Sequence, residues 1–166
     1  MKISRFGIAT IVMFIVGIAI FAQSLIQHEE RKRTRDLRHK GNYLVSLIAL
    51  HPMEDFHTDK RDFIVKTLAE YVTSEGLVYC IVHDQTGAPL LSLAHREVVD
   101  QIPPDVKQRS LYVNGLVHQT FKMNGTDNLI NEFAKPIYQD GHKSGTVRMG
   151  FDLPPITIFS PGLAKK

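Results

Sequence analysis

Residues 6–26 read FGIATIVMFIVGIAIFAQSLI, with no charged residue and only Thr10, Gln23 and Ser24 as polar side chains. Nothing else in the sequence constrains the fold so strongly. A helix over this stretch, at a rise of about 1.5 Å per residue, would be roughly 30 Å long, the thickness of a bilayer's hydrocarbon core. The stretch predicts a transmembrane helix anchored in lipid by Phe6, Ile11, Phe14, Ile18 and Phe21, with residues 1–5 as a short tail before it. A cleaved signal peptide is the alternative, since Ala22-Gln23-Ser24 forms a small-x-small site. The uncleaved anchor is favoured, because the apolar run is long for a signal and helical patterning continues past it.

That continuation, residues 27–51, predicts a basic stalk helix. Leu37, Gly41, Leu44, Val45 and Ile48 recur at helical spacing on one face. Glu29/Arg33 and Asp36/Lys40 stand at i,i+4 in the favourable order. One helix is therefore expected to run from the apolar segment and dock its far end on the rest of the chain, stopped by Pro52. Charge follows the same division. Residues 1–40 hold eight of the 20 Lys and Arg against three of the 17 acids, while the other 126 residues hold twelve against fourteen. The net charge of +3 thus belongs to the stalk. A body with negative net charge lacks the cations that bind polyphosphates, which argues against a nucleic-acid partner.

Beyond Pro52 the chain punctuates itself clearly. TDKRDFIVKTLAEYVTSEG carries an apolar stripe of Ile64, Leu68, Tyr71 and Val72 behind Thr58 or Asp59 as cap, with Gly76 as a stop, and predicts a helix. LVYCIVH and PLLSLA flank the turn DQTG as two strands. HREVVDQIPPDVKQRSL predicts one or two short helices, the second starting at Pro103. VHQTFKM alternates, and the Asn124-Gly125 and Asp140-Gly141 turns separate it from LINEFAKPIYQ and TVRMGF. Helices mostly first and hairpin-joined strands after them read as an α+β domain over 52–152, with an antiparallel sheet of about five strands. Residues 153–166, LPPITIFSPGLAKK, predict an extended tail.

In that order the pieces resemble the single Cache (PAS-like) domains of bacterial membrane receptors. The residues concerned are Asp84 and Gly87 in the first hairpin, Ala134, Pro136 and Ile137 in a later strand, and Gly145, Val147, Arg148 and Gly150 in the last. The resemblance covers about residues 30–152. It implies that the last hairpin backs a small pocket closed by the helical insert, with its glycines as structural turn residues. It also implies a domain outside the cytoplasm. The charge count points the other way, with two Lys or Arg before the apolar run and six after it, which by the positive-inside rule leaves a cytoplasmic domain open. The expected location is the bacterial inner membrane, single-pass, with a periplasmic domain.

Catalytic chemistry is poorly represented. No G-x-S-x-G, H-E-x-x-H or Gly-rich phosphate loop occurs, so no enzyme and no cofactor are expected. His51 and His57 match no zinc spacing, and no metal site is expected. The single cysteine, Cys80, lies in a β-rich apolar run and reads as a buried small hydrophobe. Candidate ligand contacts are His118, Thr120 and Lys122, which alternate onto one side of a strand, and Arg148, which opposes Val147 and Met149. In Cache-like sensors, groups at comparable places hold a carboxylate or an amine. A buried guanidinium, moreover, demands an acidic partner or ligand.

Two functions fit these observations. One is a membrane-anchored, non-catalytic binding domain acting as an accessory subunit, held to other membrane proteins by Ile156, Ile158 and Phe159 of the tail. The other is the small-molecule-sensing domain of a receptor, as a fragment lacking its output module.

Overall fold

Helix α1 (Arg5–Ile48) runs unbroken through the apolar and the basic segments alike. The computed structural model describes residues 5–74, 76–94 and 96–152. Two compact units divide the described residues, one over 5–37 and one over 38–152. In the first, Phe14, Ile18 and Phe21 are exposed, and Arg33 lies 3.7 Å from Glu29 one helical turn away. The side chains of Phe6 and Ile11, and the tail residues Ile156, Ile158 and Phe159, lie outside the described residues.

Among the described residues no helix is long and apolar enough to cross a membrane. This overturns the transmembrane helix expected over 6–26. The signal anchor, the bilayer as partner, the single-pass inner-membrane location and the anchored accessory subunit fall with it. Among the residues of α1 whose side chains are described, the apolar run covers 13–26 and gives way to Gln27, His28, Glu29, Glu30 and Arg31, short of the roughly 20 apolar residues that a span requires.

The unit over 38–152 is α+β. Past Ile48 the chain tightens, with Leu50 N and His51 N donating to Leu47 O and Ile48 O at 3.3 and 3.1 Å, and Pro52 leads into a 3₁₀ turn over Met53–His57. Helix α2 (Lys60–Ser74) follows, then strands β1 (Leu77–Asp84) and β2 (Pro89–Leu93). Two short helices, α3 (Arg96–Gln101) and α4 (Pro104–Leu111), form the insert, and α4 begins one residue later than Pro103, which caps it. Strands β3 (Val117–Lys122), β4 (Leu129–Gln139) and β5 (His142–Asp152) complete an antiparallel sheet ordered β2-β1-β5-β4-β3.

Turn chemistry sets the hairpins. The β4–β5 loop places Asp140 and Gly141 at φ 51° and 78°, the pair of positive values that a two-residue hairpin turn matched to strand twist requires. In the β1–β2 turn, Asp84 Oδ1 accepts from Thr86 N, Thr86 Oγ1 and Ala88 N at 2.8, 2.6 and 2.9 Å. Pro136, which has no N–H for a ladder, sits beyond Ala134, the last β4 residue that β3 pairs, so β4 is there an outer edge.

The two sheet faces have different covers. Cys80, Phe133, Val147, Met149 and Phe151 are buried on one, under the C-terminal turns of α1 and under α2. There Lys135 Nζ donates to Ser46 Oγ at 3.0 Å, and a Cβ at Gly41 would collide with the ring of Phe133. Burial pushes the Cys80 thiol up to about 12, as befits a packed hydrophobe. The other face lies beneath the insert. Tyr79, Ile81 and Ile130 pack there with Ile102, Val106 and Met123, flanked by Val98, Val99 and Phe121.

Candidate functional site

Beneath the insert lies a sealed polar cluster. Register places Tyr79 opposite Gly150, Gly150 opposite Glu132 and Glu132 opposite Gln119, in a row across β1, β5, β4 and β3. Arg148 points to the same face one residue pair along, between Ile81 and Ala134. Its Nη2 donates to Glu132 Oε2 at 2.6 Å, with the two side chains 1% and 0% exposed. Tyr79 donates its hydroxyl to Oε2, and Ser110 of α4 donates its hydroxyl to Oε1. Gln119 Nε2 donates to both Oε1 and Ser110 Oγ, at 2.9 and 2.8 Å. Burial and the adjacent carboxylate hold the Tyr79 phenol well above its usual range, so it is a fixed donor. The Nε of Arg148 is buried with no partner among the described residues.

Nearer the β1–β2 turn the same face opens into a cavity of about 190 Å³, lined by Asp84, Gln85, Thr86, Gly87, Leu111, Tyr112, Lys143 and Thr146. Lys143 Nζ donates to Leu111 O and Val113 O at 2.6 and 2.8 Å, leaving one ammonium N–H uncommitted among the described residues. Partial burial pulls the Lys143 ammonium below its usual range. Behind the turn, His83 Nδ1 donates to Gly87 O at 3.0 Å, while its Nε2 is buried without a partner among the described residues. Burial lowers its proton affinity.

A five-stranded antiparallel sheet with helices before it and an insert over one face matches solved bacterial sensor domains. The ligand-binding domain of the Pseudomonas aeruginosa amino acid chemoreceptor PctC, solved with GABA, aligns at a TM-score of 0.52 and 16% identity over 82% of this chain and 60% of that one. The corresponding domain of the Campylobacter jejuni chemoreceptor Tlp3, solved with L-valine, aligns at 0.52 and 16% over 91% and 65%. The fold is that of a Cache/PAS-like domain. The chain thus spans less than two thirds of the length of either relative. The sequence matches no protein-family model and no curated protein.

Within this Cache/PAS-like frame the four candidate residues divide between the faces. Arg148 lies beneath the insert, bound to Glu132. His118 and Thr120 lie on the opposite face. The His118 ring stacks on Phe133 with centroids 4.7 Å apart, and both residues reach Asn131 Oδ1, at 3.3 and 3.1 Å. Lys122 pairs with Asp127 across the β3–β4 turn, 2.5 Å apart. The structure therefore brings His118 and Thr120 together but keeps them from Arg148. No group of three or more acidic, histidine or cysteine side chains among the described residues could hold a metal ion.

Sequence reasoning missed Glu132, Tyr79, Ser110, Gln119 and the whole cavity lining. One signal was available: Glu132 alternates with Ile130 and Ala134 in a strand, so an acid shares a face with apolar neighbours. Arg148 demanded an acidic partner, and the register supplied Glu132.

Proposed function

We propose that this domain is a non-catalytic sensor module that binds a small amino-carboxylate in the cavity between the β1–β2 turn and the end of α4. The cavity carries the reading. At about 190 Å³ it is smaller than the roughly 300–1,000 Å³ of sites for drug-sized molecules, which limits the ligand to amino-acid scale. Lys143 offers a cation and a spare N–H to a carboxylate, Asp84 offers a carboxylate to an ammonium, and the Thr86 and Thr146 hydroxyls supply neutral contacts. The GABA and L-valine of the two similar domains support this ligand class. In this reading Arg148, already bound to Glu132, braces the sheet beneath the cavity, and His118, Thr120 and Lys122 take no part in it.

The test is thermal unfolding of the full chain against small α- and ω-amino acids, simple carboxylates and simple amines. A ligand at one hundred times its Kd stabilises by about 2.7 kcal/mol. At least one amino-carboxylate is expected to raise Tm in the wild type and to lose that effect in Lys143→Met. A panel without any response, or a response that survives Lys143→Met intact, overturns the proposal.

A further inference from the structure

Four side chains from four elements converge on one carboxylate. Tyr79 of β1, Ser110 of α4, Gln119 of β3 and Arg148 of β5 all donate to Glu132 of β4. One guanidinium and three neutral donors in a buried setting form the set that recognises a carboxylate ligand. The backbone ladder pairs the strand positions 79, 119, 132 and 148 without these side-chain bonds. Burying two ions is moreover costly, because each loses its hydration. Apolar residues at both 132 and 148 would continue the core of Ile130 and Ala134 without that cost.

The fit is also incomplete. Arg148 reaches Glu132 through Nη2, while its Nε, in a side chain 1% exposed, has no partner among the described residues. A guanidinium binds a free carboxylate with two parallel N–H bonds when nothing restrains the acid. Glu132 is restrained by its own strand.

We propose that the sheet face beneath the insert is a carboxylate-binding site whose occupant is built into the chain, the side chain of Glu132. This internal ligand latches α4 to the sheet through Ser110, with no external molecule required. Ser110 is fully buried and precedes Leu111, whose side chain lines the cavity and whose carbonyl accepts from Lys143. The latch therefore sets the cavity wall before any outside ligand arrives. The inference stands apart from the proposed function, because it concerns Glu132 and not the cavity.

Chemical rescue tests it. Glu132→Ala removes a CH₂–COO⁻ unit, which acetate replaces. In the full-length Glu132→Ala variant, acetate is expected to raise Tm saturably and to restore hydrogen-exchange protection to the amides of α4. Acetamide at the same concentration, and acetate added to the wild type, should do neither. Equal effects of acetate and acetamide would overturn the proposal, as would α4 protection already at the wild-type level in the variant. Should Glu132→Ala not fold, Ser110→Ala replaces it, removing the hydroxyl through which α4 reaches Glu132. Its α4 amides are then expected to exchange about tenfold faster, the ratio for one lost hydrogen bond, while those of β1 and β5 hold. Unchanged α4 exchange in Ser110→Ala overturns the latch. A wild type that ignores every amino acid would sink the cavity reading and leave this result intact.

Discussion

The ring of Tyr79 lies across Gly150. The two residues pair between β1 and β5, and a Cβ on Gly150 would fall well inside van der Waals contact with the ring. Because that position carries no side chain, the phenol can pass over β5 and deliver its hydroxyl to Glu132 on β4. Gly150→Ala should therefore destabilise the protein by about 1–3 kcal/mol, the usual cost of overpacking a dense core. Urea unfolding measures this. Wild-type stability in Gly150→Ala would mean that the ring can swing aside freely.

Arg148 and Glu132 form a buried pair in which each ion depends on the other. Arg148→Met leaves Glu132 fully buried and without its cation, and should cost about 3–5 kcal/mol. Adding Glu132→Leu removes the stranded carboxyl group, so the double variant is expected to recover much of the loss. A double-mutant cycle in urea reads the coupling. Strictly additive losses would show that the ions act independently.

Gly41 distinguishes two opposed effects of one substitution. Alanine in a helix interior is favoured over glycine by about 1 kcal/mol, but here its Cβ would collide with the Phe133 ring. That ring is held by His118, stacked at 4.7 Å, and by Phe151, edge-on at 5.8 Å, so it has little room to give. Overpacking of about 1–3 kcal/mol should outweigh the propensity gain, and Gly41→Ala is expected to lower Tm. A higher Tm would show that α1 can lift from β4 at no cost.

Acid should weaken the fold in two separate windows. Burial keeps His83 and His118 below their ordinary proton affinity, so below about pH 6.5 the unfolded chain binds protons that the folded chain refuses. Stability is then expected to fall between about pH 7 and pH 5. The double variant His83→Gln/His118→Gln should flatten that slope, measured as urea midpoints across the range. A second loss belongs below about pH 4. There the carboxyl of Asp55, held down by Lys60 and His51, and that of Asp84, held down by Thr86, take up protons. An unchanged slope in the double variant would assign the first window to other groups.

Local rules made much of the fold legible. Asp84 to Gly87 and Asp140-Gly141 announce their hairpins, because few residues tolerate the backbone angles that those turns need. The stripe of Gly41, Leu44, Val45 and Ile48 announces the buried face of α1, and all four are buried. The apolar run 6–26 shows where composition misleads. Its length invites a membrane span, yet among the described residues no helix is long and apolar enough to cross a membrane.

By itself the sequence determined the elements, their order, and which side chains share a strand face, since each of these depends on neighbours a few residues apart. It also marked Arg148 as a cation in need of a partner. Only the tertiary structure decided which partner. Register slides by single residues, and one step would have turned Glu132 to the other face. Ser110 and Gln119 reach the same carboxylate from residues 22 and 13 positions away along the chain, a convergence that no local pattern encodes. The cavity at Lys143 and Leu111 exists for the same reason: its walls come from a turn, a helix end and a strand that meet only when the sheet closes beneath the insert.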